Sequence, residues 1–254
     1  MTADLQRASI TKRFSAALLD FILLTILVTG AATLLTAVFG YETHAEVMAA
    51  RQDHFETEYG VKFDITEEDF NKLTEDEQKK YDDAYVAMYN DEDFRYAFNM
   101  AINLITLIAT FSILVGVVII ELVVPLILKN GQTVGKKVFG ICLVRADGVQ
   151  LTTLQLFARS ILGKFTIELM IPAYIIILLF FGTANIIMLA ILAGLLIGQI
   201  VCIAATRNHS AIHDLISGTV AVDMASQKIF RSREDLLEYT KKIHADRANR
   251  SDYK

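Results

Sequence analysis

Four long apolar runs, separated by strongly charged segments, constrain this chain more than any other feature. They cover residues 14–39, 97–128, 161–181 and 186–205. A helix needs roughly 20 residues to cross a hydrocarbon core of about 30 Å, and each run meets that length. None shows the period-two alternation of a membrane β-barrel, so each reads as a helix that satisfies its own backbone. The first run holds about 26 residues, longer than the ~7–15 of a signal-peptide apolar region. Gly182-Thr183-Ala184-Asn185 predicts a tight turn joining the last two spans as a hairpin. The expected fold is an all-α membrane protein: a four-helix transmembrane bundle with a small cytoplasmic β-hairpin or sheet and an acidic, helical extracytoplasmic insertion.

Charge distribution sets the expected orientation. Arg7, Lys12 and Arg13 precede the first span. Lys129, Lys136, Lys137, Arg145, Arg159 and Lys164 follow the second, with Asp147 the one acid among them. Residues 41–96 instead carry seventeen acidic and six basic side chains. The positive-inside rule therefore places residues 1–12, the loop 129–160 and the tail 224–254 in the cytoplasm, and the insertion 41–96 outside a cell membrane. The membrane domain itself spans residues 13–223.

The connecting segments carry local signals. Thr66-Glu67-Glu68-Asp69 and Thr74-Glu75-Asp76-Glu77 read as capped helix starts within the insertion. Its acids lack calcium-loop spacing, and a solvated acidic surface is the simpler reading. Between the second and third spans, Asp147-Gly148 predicts a hairpin turn between residues 137–145 and 149–152. Residues 153–163 read as an interfacial helix, and residues 218–223 as a strand that pairs with the hairpin. Residues 232–249 read as a capped amphipathic helix.

Three acids fall inside spans, where a charge is costly and marks a functional hypothesis. At ~1.5 Å per residue, Asp20 lies ~10 Å past Arg13, Glu121 ~12 Å before Lys129, and Glu168 ~6 Å past Lys164. All three lie near one membrane face, beneath a collar of Arg13, Lys136, Lys137, Arg159 and Lys164. Helical side chains lean toward the N-terminus, so Arg13 points away from Asp20 and each is expected to pair across helices. Pro125 lacks the N–H that would bond the carbonyl of Glu121, which predicts a kink and a small polar pocket there. Three readings stay open at this level: helices pinned by buried ion pairs, an ion or proton pathway, and another ligand site. Gly194 and Gly198 predict a close helix contact.

Arg13-Phe14-Ser15-Ala16-Ala17-Leu18-Leu19-Asp20, then Glu121 followed by Gly131-Gln132-Thr133-Val134-Gly135-Lys136, then His213-Asp214, resemble in this order the RDD family of bacterial membrane proteins. The resemblance puts Arg13, Asp20, Glu121, Lys136, His213 and Asp214 on family motifs, with Gly131, Gln132, Thr133 and Gly135 as a loop motif; with Glu168 and Arg159 from the in-span acids and their collar, these make a candidate transport or structural charge cluster. Transport, sodium/proton antiport in particular, is proposed for some members of that family. The long insertion and the tail helix depart from its compact pattern.

No nucleophile, phosphate-loop or zinc-protease motif occurs, and Cys142 and Cys202 lack ligand spacing, so neither an enzyme nor a cofactor or metal site is expected. The expected partners are the bilayer, monovalent cations or protons, and a second copy or another membrane protein, with no nucleic acid. The functional alternatives are a small cation/proton transporter and a non-transporting scaffold that binds partners through the acidic segment and the sheet.

Overall fold

The computed structural model describes residues 5–182 and 185–251, with side chains through residue 245. Among the described residues, four helices are long and apolar enough to cross a membrane: α1 (Ile10–Phe39), α5 (Glu92–Leu128), α7 (Thr153–Phe180) and α8 (Ile186–Ala205). Thr183 and Ala184 of the expected turn lie outside the described residues. Between α1 and α5 lie α2 (Tyr41–Tyr59), α3 (Glu67–Phe70) and α4 (Glu75–Asn90). After α5 come α6 (Val134–Val138) and β1 (Ile141–Arg145), and after α8 come α9 (Ile212–Ser217), β2 (Thr219–Asp223) and α10 (Arg233–Ser251). The chain divides into two compact units, residues 30–111 and the remainder.

The acidic unit builds its own core. Phe55, Met88 and Phe94 are buried, with Met48, Tyr59, Phe63 and Phe98 packed against them. Thr66 and Thr74 cap α3 and α4, the latter through a reciprocal capping box with Glu77, as their sequence predicts. Glu56 is buried without being isolated: Lys62 Nζ lies 2.7 Å away and the Phe63 N–H donates over 2.9 Å. Arg51 grips Asp91 through both Nε and Nη2. A segment with seventeen acids thus folds around aromatic side chains and turns most of its charge to solvent.

In the other unit, two of the long helices depart from α geometry. Residues Val118–Val123 of α5 form a π-helical turn, in which the Val124 N–H reaches the carbonyl of Ile119, five residues back. Residues Ala158–Met170 of α7 are π-helical as well. These wider stretches lie against each other. The sequence reading separates an interfacial helix over 153–163 from a span over 161–181. The structure instead runs α7 unbroken from Thr153, capped by the Thr152–Gln155 box, to Phe180. The π segment lets the helix continue through this polar stretch while redirecting its side chains.

The sheet also differs from the expected hairpin. β1 pairs antiparallel with β2, from Ile141 opposite Asp223 to Arg145 opposite Thr219. The Asp147-Gly148 turn forms, with the Gly148 N–H bonded to the Arg145 carbonyl at 2.9 Å, but the returning strand ends after a single bridge, Val144 to Gln150. The Gln150 N–H turns to Phe230 and Thr152 is committed to capping α7, so neither extends the ladder. Residues 137 and 138, read as strand, belong to α6. The far edge of β2 is covered by the N-terminal segment: the Ala8 N–H bonds Ala221, and the Asp223 N–H bonds Gln6. One face of the sheet buries Ile141, Leu143 and Ala221 with Ala8 and Ala16, and the other buries Cys142, Val144, Val220 and Val222.

Close approach depends on particular glycines. A Cβ on Gly163 of α7 would stand 2.7 Å from the Cα of His213 in α9, and one on Gly135 would stand 2.2 Å from the Ala16 carbonyl in α1. Gly194 and Gly198, expected to mark a close contact, face open space among the described residues. Gly163→Ala is therefore expected to cost about 1–3 kcal/mol by overpacking against backbone, and Gly194→Ala to be neutral or slightly stabilising. Thermal unfolding of the two purified variants against the parent checks the contrast; equal loss in both would refute it.

Candidate functional site

A low-dielectric interior penalises a charge unless a partner and hydrogen bonds surround it. Each acid of the cluster meets that demand differently. Asp20, on the buried face of α1, receives the Thr133 hydroxyl at Oδ2 and the Gly135 N–H, 2.7 Å away, at Oδ1. Those donors come from the loop motif: Thr133 caps α6, and Gly135 is where a side chain would collide with α1. Lys129 ends α5 with a φ of 64°, Gly131 supplies a second left-handed φ of 62° in the turn that follows, and Gln132 donates to the Ile141 carbonyl at 2.7 Å, tying that turn to β1. All four motif residues thus act together in placing α6 against Asp20.

Lys136, one residue past Gly135, is buried between two acids. Its Nζ lies 3.8 Å from Asp20 Oδ2 and 3.8 Å from Glu121 Oε2, and donates to the Thr133 hydroxyl at 3.1 Å. It therefore faces two carboxylates at ion-pair range without a close hydrogen bond to either. Burial pushes the Lys136 ammonium down to about 8, an effect that Glu121 opposes and Lys164 reinforces. Glu121, on the π turn of α5, also takes Lys164 Nζ on its other oxygen. Its backbone carbonyl, freed by Pro125, accepts the Ser160 hydroxyl at 2.6 Å. The polar pocket expected at the kink is filled by side chains from α6 and α7.

Asp214, at the third position of α9, anchors the other half. Arg159 from α7 donates through Nη1 to Oδ1, and Arg13 from α1 through Nη2 to Oδ2 at 3.3 Å. Thr219 Oγ1 and the Ala211 N–H complete the set, at 3.1 and 3.3 Å. Arg13 thus pairs across helices and not with Asp20. Burial alone would raise the Asp214 carboxyl, but Arg159, then His213 and Arg13, outweigh it and hold it below the usual carboxylate range. His213 lies between two acids: Nδ1 is 2.8 Å from Glu168 and Nε2 3.7 Å from Asp214. Burial lowers His213, and Arg159 lowers it further, against the opposite pull of Asp214 and Glu168.

The structure gathers the eight charged residues into two neighbouring ion-pair groups, Asp20–Lys136–Glu121 and Arg13–Asp214–Arg159 with His213–Glu168, contributed by α1, α5, α6, α7 and α9. Sequence reasoning missed Ser160 and Thr219, whose hydroxyls look unremarkable outside any motif. No group of three or more metal-type ligands gathers among the described residues.

The pairing around Asp214 predicts an acid-sensitive structure. Its folded-state carboxyl lies below the ordinary value of ~3.9, so its stabilisation is complete above that pH and is lost as pH falls through the folded value. The lowered His213 adds loss from about pH 6.5 downward, because the unfolded chain takes up that proton first. Thermal stability should decline across both windows. Asp214→Asn, which leaves Arg159 unpaired, should cost about 3–5 kcal/mol at pH 7; an unchanged melting temperature would contradict this assignment.

Comparison with known proteins agrees with the motifs. The sequence model for the RDD family matches residues 7–218, from just before α1 to the start of β2. No curated protein and no solved structure matches the chain.

Proposed function

The chain belongs to the RDD family and its four apolar helices make it a membrane protein; from that premise we propose that it exchanges a monovalent cation for a proton at Asp20, Lys136 and Glu121. One observation carries the reading: a buried lysine, lowered to about 8, stands 3.8 Å from each of two carboxylates. With Lys164 already on Glu121, a protonated Lys136 brings the two carboxylates to net neutrality. When it gives up that proton, the carboxylates can take a cation of the same charge. Cation and proton then exclude each other at one place, which is the requirement for coupled exchange. His213, between Glu168 and Asp214, is the one neighbouring group whose ordinary titration lies near neutrality, and it serves as a relay toward water.

Orientation by the positive-inside rule puts both termini and the cluster on the cytoplasmic side of the cell membrane. Four spans per chain are few for alternating access, so the reading includes a homo-oligomer. A second reading, a scaffold without transport, is favoured by the acidic unit, which folds around its own core and presents most of its charge outward. It requires a membrane partner that copurifies with the parent and is lost when residues 41–96 are deleted.

Proteoliposomes of the purified protein should move protons in response to Na⁺, K⁺ or Li⁺ gradients, with apparent cation affinity weakening as pH falls below about 8. Asp20→Asn and Lys136→Gln, each verified as folded, should lower exchange at least tenfold. Absence of flux in well-reconstituted parent, or full flux in folded Asp20→Asn, would overturn exchange and leave the scaffold.

A further inference from the structure

The half of the cluster around Asp214 has features that cation exchange does not use. Arg13 and Arg159 share this single carboxylate, so two guanidinium charges face one negative charge. Arg159 is 2% exposed, yet its Nε–H has no hydrogen-bond partner. An unpaired donor on a buried cation is costly, and a folded chain tolerates it where something else supplies the acceptor.

A cavity lies beside these two arginines. Arg13, Lys136, Arg159 and Lys164 contribute to the wall of a cavity of about 260 Å³, against two acids, Asp20 and Asp214. Glu121 and Glu168, which neutralise Lys164 and bind His213, are not part of that wall. The rim is apolar: Ile10 and Phe14 of α1 are 60% and 69% exposed, Ala17 is exposed beside them, and Ile203 of α8 lies opposite. The cavity is therefore cationic inside and hydrocarbon-like at its edge. It sits beside the first turns of α1, the charge-flanked end of an apolar span, where lipid headgroups are expected to meet the helix.

We propose that this cavity binds a phosphate-bearing anion, its oxygens on the Arg13 and Arg159 guanidinium groups, and that its natural source is the headgroup of an anionic phospholipid. Guanidinium groups match phosphate oxygens in charge and geometry, and basic pockets between membrane helices suit such headgroups. An acyl chain leaving the site would run along Phe14 and Ile10, where a soluble ion would have nothing to contact. The site goes beyond the exchange reading and does not depend on it, because its readout is binding and not flux.

The test compares delipidated protein in neutral detergent with added phosphatidylglycerol, diacylglycerol, glycerol phosphate and inorganic phosphate, reading thermal stability and bound mass by native mass spectrometry. Phosphatidylglycerol should bind one per chain and raise the melting temperature, with diacylglycerol and the soluble phosphates at least tenfold weaker. Ala17→Phe narrows the mouth while leaving every ion pair in place. Arg159→Lys keeps a cation beside Asp214 but removes the Nε–H. Each should weaken phosphatidylglycerol binding at least tenfold. Equal response to phosphatidylglycerol and diacylglycerol, or undiminished binding in folded Ala17→Phe, would overturn the site. Tight binding of inorganic phosphate alone would sustain a phosphate site and reject its lipid source.

Discussion

Asp214 between Arg159 and Arg13 is the contact on which the unit around it turns. Three charges have been drawn out of water, and none can remain there alone at acceptable cost. Their side chains come from α1, α7 and α9, so satisfying one carboxylate fixes the start of the chain against the third span and the segment after the fourth. Thr219 extends the same knot into β2, and through β2 into β1 and the N-terminal segment. Gly163 is part of the same constraint, since α9 could not bring Asp214 to Arg159 if α7 carried a side chain there.

Asp20 plays the corresponding part for α6. Its two oxygens are taken by donors two residues apart, Thr133 and Gly135, and the next residue delivers Lys136 to Glu121. A loop that would otherwise be free at the membrane face is thereby locked between α1 and α5. The two halves of the cluster then differ in chemistry. Around Asp20 and Glu121 one lysine, Lys136, bridges two acids while Lys164 pairs with Glu121 alone; around Asp214 a single acid is shared by two arginines. The first arrangement suits competition between cation and proton, and the second leaves an excess positive charge that an anion can meet.

Much of this was legible in the sequence because it depends on local rules. Hydrocarbon thickness sets the length of the spans, and the starts of α3 and α4 follow from Thr66 and Thr74 with their acids. The backward lean of helical side chains already separated Arg13 from Asp20, and each pairs across helices. What escaped depends on tertiary competition. Pro125 signalled a freed carbonyl, but not that Ser160 would take it or that α5 would widen to a π turn. The strand after Asp147-Gly148 has the residues for a ladder, yet Phe230 and the cap of α7 claim its backbone first. Gly194 and Gly198 have the spacing of a contact but meet nothing among the described residues, whereas Gly163, in no such pattern, meets the backbone of α9.

The central claim is that Lys136 is a titrating competitor for the cation between Asp20 and Glu121. Nitrogen-15 resonances of lysine side chains, assigned through Lys136→Arg, report its protonation directly in the intact protein. The account predicts a Lys136 midpoint near 8 that moves down as sodium replaces a non-binding cation, since linkage requires each ligand to weaken the other equally. A Lys136 that titrates as an ordinary exposed lysine, or whose midpoint ignores sodium, would contradict it and leave the cluster as a lock that holds helices together.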